Sequence, residues 1–281
     1  MGHRGLVTWI GLVVFFAAAW IPAAAEGEYA GDESCVACHE PVAENWLHTG
    51  HGSASDFPEA GCESCHGSAA NHIESGGDLD SIIRFGLLSS RESSQICLDC
   101  HNRTESQFDA SHGIHSQNDV ACTACHNPHS TAPQGLERTG SELCGSCHQQ
   151  VLAQFELPRA HPMGEGGAEC SSCHDPHATR TLRTEKSLYE SCSNCHFEKA
   201  GPFLFGHDTL TVDGCAACHE VHGSPNRHLL KHEPQVNLCY QCHSASVTPG
   251  WHSVPRFLNE KCTACHSAIH GSNTSPYFLE E

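Results

Sequence analysis

Every cysteine of this chain sits in one five-residue pattern. CxxCH occurs at Cys35-Cys38-His39, Cys62-Cys65-His66, Cys97-Cys100-His101, Cys122-Cys125-His126, Cys144-Cys147-His148, Cys170-Cys173-His174, Cys192-Cys195-His196, Cys215-Cys218-His219, Cys239-Cys242-His243 and Cys262-Cys265-His266, ten copies that use all 20 cysteines. No thiol is left over for a disulfide framework. Zinc ribbons also pair CxxC, but they do not require a histidine directly after the second cysteine, which here follows every time. The pattern is the attachment signature of c-type haem, in which two thiols bond the vinyl groups and the histidine ligates iron. It predicts ten covalent haem c groups, numbered here as sites 1 to 10 in chain order, with these histidines as proximal ligands.

So many haems in so short a chain constrain the fold. Aromatics are 7% of residues, and Gly, Ser, Asp, Asn and Pro interrupt the chain every few positions, which leaves little room for long helices or sheets. Residues 26–281 provide about 26 residues per site, so porphyrin must supply much of the buried apolar surface and the apoprotein should be largely unfolded. The expected fold is an elongated, haem-packed multihaem cytochrome c with short helices and loops.

The sites recur in pairs. Those at Cys97, Cys144, Cys192 and Cys239 are spaced 47, 48 and 47 residues apart, and Cys35 precedes Cys97 by 62. Five two-haem repeats result, over about 35–96, 97–143, 144–191, 192–238 and 239–281. The surplus in the first falls mostly in residues 76–95, GGDLDSIIRFGLLSSRESSQ, a candidate short independent helix or loop insertion.

Histidines recur with the same period. One stands 7 to 11 residues before the second CxxCH of each repeat, at His51, His115, His161, His207 and His252; another follows it, at His72, His129, His177, His222 and His270. Together they provide one distal ligand per haem. His177 is three residues from His174, too close to reach the opposite face of the same ring, so it should ligate a neighbouring haem. The same holds for His129 and His222, and less tightly for His270 and His72. Methionine is a poor rival, because Met163 is the only one beyond Met1. His48 and His112 compete with His51 and His115, and analogy with His161 and His207 favours the latter of each pair. His228 and His232 match nothing in the other repeats and read as propionate partners or a solvated turn. Bis-histidine ligation is expected throughout.

Residues 1–25 carry one Arg, an apolar run from Leu6 to Ile21 and an Ala-rich exit, the layout of a secretory signal cleaved after Ala25. A retained membrane anchor is the alternative. No cysteine for lipidation and no twin arginine occur there, so periplasmic delivery of the unfolded chain, with haem attached afterwards, is expected. The formal charge of −19 makes nucleic acid and anionic lipid poor partners.

The order and spacing of these motifs resemble the periplasmic decahaem cytochromes of the MtrA/DmsE type. The resemblance rests on ten sites in a short chain, on CESCHGSAANH (62–72), CHNPHS (125–130), AHPMGEGGAECSSCHDPHATR (160–180) and CHEVHGSPNRHLL (218–230). It implies a haem wire seated in an outer-membrane β-barrel porin, relaying electrons between periplasmic or inner-membrane redox proteins and an outer-surface multihaem cytochrome.

Two other function classes remain open on sequence. A multihaem nitrite, hydroxylamine or sulfur-oxyanion reductase needs an open iron, often marked by CxxCK, which is absent here. A soluble periplasmic shuttle or filament subunit would share the same acidic, polar composition.

Overall fold

The computed structural model describes residues 28–53, 61–138, 140–164, 166–178, 185–243 and 261–279. The leader and His252 lie outside them. None of the described helices is long and apolar enough to cross a membrane.

Secondary structure is built around the haem-attachment motif. In sites 3 to 10 the histidine amide donates to the carbonyl of the first cysteine, at 2.8–3.1 Å, which closes one helical turn and brings thiols three residues apart onto one face. Twelve helices are described: α1 (Asp32–Leu47), α2 (Cys62–His66), α3 (Ala70–Glu74), α4 (Ser90–Leu98), α5 (Glu105–His112), α6 (Ile114–Gln117), α7 (Gly140–Gly145), α8 (Gln149–Gln154), α9 (Glu185–Ser193), α10 (Phe197–Ala200), α11 (Thr209–Val212) and α12 (Val236–Cys239). The first site lies within α1, which Pro41 and a non-helical His39 interrupt. Sites 3, 5, 7 and 9 begin in the last turns of α4, α7, α9 and α12. Sites 4, 6, 8 and 10 open instead on single 3₁₀ turns, Cys122–Ala124, Cys170–Ser172, Cys215–Ala217 and Cys262–Ala264.

The 76–95 stretch is not set apart from its neighbours. Two 3₁₀ turns, Leu79–Ser81 and Phe85–Leu87, lead into α4, whose N-terminus is fixed by a reciprocal Ser89–Glu92 capping box. This helix runs on into Cys97, and its buried Ser93 hydroxyl meets Thr123 Oγ1 at 3.3 Å.

Sheet is minimal. β1 (Arg159–Ala160) pairs antiparallel with β3 (Gly223–Ser224), and β2 (Phe205–Gly206) with β4 (Gly271–Ser272). Each strand adjoins one of the recurring histidines: β1 precedes His161, β3 follows His222, β2 precedes His207 and β4 follows His270. Gly223 is required at its position, because a Cβ there would strike the main-chain carbonyl of Gln154.

Packing divides the described residues into two units, those within 28–43 and 61–85, and those within 44–53 and 86–279. In the first, the buried Glu63 carboxylate accepts from the amides of Ala30, Gly31 and Ala69 at 2.8–2.9 Å. Throughout the described residues the buried apolar side chains are Ala69, Leu230 and Val236. At roughly 1.5–3 kcal/mol for each large side chain, three such residues fall far short of the chain's conformational entropy. Short helices and turns with almost no hydrocarbon core form a haem-packed fold.

Candidate haem-ligand array

Eight of the proximal histidines each meet one recurring histidine as a pair of rings. His39 faces His72 with centroids 6.4 Å apart and planes 16° from parallel. The corresponding separations are 5.7 Å for His101 and His51, 6.0 Å for His126 and His177, and 6.2 Å for His148 and His115. They are 6.1 Å for His174 and His222, 6.3 Å for His196 and His161, 6.2 Å for His219 and His270, and 6.2 Å for His243 and His207. Two metal–imidazole bonds of about 2 Å each, with the two ring radii, come to roughly 6 Å. The spacing therefore accommodates one iron between each pair.

Orientation fits as well. A ligating imidazole donates its other ring N–H to an acceptor, which fixes the tautomer. His72 Nδ1 lies 2.8 Å from Asp78 O, His115 Nδ1 3.2 Å from Pro176 O and His161 Nδ1 2.8 Å from Val221 O. Among proximal rings, Nδ1 of His66, His126, His219 and His266 meets the carbonyls of Ile83, Gln134, His228 and Tyr277 at 2.6–3.1 Å. Left-handed backbone at Gln134 (φ 59°) and His228 (φ 57°) turns those two carbonyls toward the rings.

Burial first, and the facing imidazole second, push His51, His207, His222 and His270 below the ordinary histidine value. Neutral rings are the ligand-competent form. All twenty cysteines lie among the described residues, and none is in a disulfide. The thiols and imidazoles together are the donor set of covalent haem c, which supplies one-electron Fe(III)/Fe(II) exchange when bound.

The pairing follows a rule the spacing alone does not reveal. The loop of site 6 sends His177 to the proximal ring of site 4, that of site 8 sends His222 to site 6, and that of site 10 sends His270 to site 8. Each reaches back two sites. Upstream histidines reach forward: His51 to site 3, His115 to site 5, His161 to site 7 and His207 to site 9.

His129 presents its ring edge to Trp46 at 6.1 Å, and the ring of His66 lies edge-on to Phe85 at 5.6 Å. His48 occupies the turn after α1, where its amide donates to Asn45 O. His112 Nδ1 sits 2.7 Å from the Ser111 hydroxyl. His228 and His232 are exposed.

Two kinds of junction join consecutive sites. Within each repeat the first cysteines of the two motifs are neighbours: Cys35 with Cys62, Cys97 with Cys122, Cys144 with Cys170, Cys192 with Cys215, and Cys239 with Cys262. Between repeats the recurring histidines are neighbours. The β1–β3 register sets His161 beside His222, and the β2–β4 register sets His207 beside His270. His115 is held by Pro176 O, next to His177.

Several supporting residues escaped sequence reading. Trp46 stacks on His51 at 5.5 Å and 5°. Gln154 Oε1 accepts from His222 Nδ1 at 2.9 Å, and the Gln107 amide lies 3.0 Å from His101 Nδ1. The one signal available was that both glutamines stand six residues after a proximal histidine.

Comparison with known proteins agrees with the array. A family model described as the doubled CXXCH motif matches residues 112–152, 161–201 and 207–248. Each matched stretch takes in an even-numbered site and the odd-numbered one after it, and so spans a junction between repeats. The multiheme cytochrome MtrA of Shewanella baltica (strain OS185) is 35% identical over 281 aligned positions, covering 89% of this chain and 81% of the relative. With covalent haem attachment, facing imidazoles and this likeness over most of its length, the chain belongs to the MtrA family of multihaem c-type cytochromes, electron-transfer proteins.

Proposed function

We propose that the chain is a periplasmic relay of ten bis-histidine haems that carries electrons across the outer membrane inside a β-barrel porin. The observation that carries the relay is the alternation of junctions. Neighbouring first cysteines join sites 3–4, 5–6, 7–8 and 9–10, and neighbouring recurring histidines join 4–5, 6–7 and 8–9. Sites 3 to 10 then form an unbroken series in chain order. Tunnelling falls steeply with distance, so an unbroken series of close sites is what conduction demands.

With haem bound, the facing imidazoles would be the chain's ligands to each iron. The eight facing pairs would leave no position for substrate at sites 1 and 3 to 9, and His129 and His252 complete the expected set of ten distal ligands. Ligands held in both oxidation states keep rearrangement small and favour low potential. The role is relay, with no catalytic side chain.

The conduit part of the reading rests on likeness to MtrA and on an acidic chain of net charge −19, suited to a polar barrel lumen. An outer-surface multihaem cytochrome and periplasmic or inner-membrane redox proteins are the partners implied. Fractionation tests it. The native cytochrome should co-purify from outer membranes with a barrel protein. Its complete recovery in the soluble periplasm, with that barrel intact, contradicts the conduit and leaves a diffusing shuttle.

A further inference from the structure

Gln154 ends α8, and its side chain supports the ring of His222. Oε1 accepts from His222 Nδ1 at 2.9 Å. His72, His115 and His161 use main-chain carbonyls for the same purpose, so this acceptor is one that a single substitution can remove. Its place is fixed from both sides. The Gln154 main chain abuts Gly223, next to His222, so closely that no Cβ fits, and the ring of Phe155 packs on His222 at 5.3 Å. His222 in turn faces His174, 6.1 Å away.

The same position in the next repeat, six residues after His196, is Pro202. Proline has no side-chain acceptor, so the arrangement distinguishes site 6 from its counterpart at site 8.

We infer that Gln154 is a positioning residue that lowers the redox potential of the haem at Cys170 and Cys173 by accepting the Nδ1 proton of its distal ligand, His222. The inference rests on the bis-histidine reading. An acceptor on Nδ1–H raises electron density on the imidazole and stabilises Fe(III) over Fe(II). Reduction places one electron on iron and leaves the Nδ1 proton where it is. The difference in hydrogen-bond strength between the two states therefore appears in the potential.

The test is potentiometric titration of the purified holoprotein, followed through the low-spin ferric EPR signals, in wild type, Gln154→Leu and Gln154→Glu. The leucine variant should make one haem easier to reduce, its Fe(III)/Fe(II) ratio at fixed potential falling by up to about tenfold, ~59 mV. The glutamate variant keeps an acceptor and adds charge, so the same haem should shift the other way while staying low-spin. That haem should be the one that turns high-spin in His222→Ala. If both variants leave every ratio within about twofold of wild type while His222→Ala still opens one iron, the inference fails and the ligand reading stands. If His222→Ala opens no iron, the ligand reading fails, and the inference with it.

Discussion

His177 and His126 face each other with ring centroids 6.0 Å apart and planes 24° from parallel, although 51 residues separate them and His177 is only three from His174. Neither ring finds its partner in its own motif. The loop that follows one CxxCH motif places its histidine against the proximal ring of another, and the amide of His177 donates to Asp175 Oδ1 at 2.9 Å, shaping that loop.

His177→Ala should therefore convert one haem to high-spin, the one attached at Cys122 and Cys125. EPR locates the change when compared with His126→Met, which should perturb the same signal. A high-spin signal traced to the Cys170–Cys173 haem contradicts the pairing.

Gly223→Ala should destabilise the fold by about 1–3 kcal/mol, because the added methyl drives β3 away from the Gln154 carbonyl. Gly206→Ala is the control, since a Cβ there meets nothing within 4 Å. Thermal unfolding of the two holoproteins should separate them by several degrees.

Glu63 makes the first packing unit acid-sensitive. Burial pushes its carboxyl up, but the amides of Ala30, Ala69 and Gly31 together pull it further down, below the ordinary value of 4.5. A depressed carboxyl contributes stability above its unfolded value and loses it as pH falls through the folded one. Order at Ala30 and Gly31 should persist at neutral pH and fade below about pH 4.5; amide hydrogen exchange reads it, and Glu63→Gln should weaken protection already at pH 7.

Chain expressed without haem attachment should lack a cooperative unfolding transition, given that its buried apolar side chains are Ala69, Leu230 and Val236 among the described residues. Calorimetry of apoprotein against holoprotein checks this.

Much of this architecture is written in local spacing. CxxCH needs one helical turn, and the motif carries that turn wherever it occurs, so covalent haem and a fold of short elements are legible from residue order alone. The assignment of His177 to a ring two sites back is not, because three residues of spacing state only where a histidine cannot go. Two-residue strands such as Arg159–Ala160 leave no periodicity to read, yet they align His161 with His222. Gln154 and Trp46 resemble ordinary helix residues in sequence. Their roles arise from contacts 68 residues away at His222 and five away at His51.

Low-temperature EPR of the oxidised, mature protein, followed by carbon monoxide addition to the reduced form, tests the central claim most directly. A relay of closed irons predicts low-spin signals throughout and a spectrum that carbon monoxide leaves unchanged. A high-spin haem that takes up the gas would contradict it, revealing an open iron where a substrate binds.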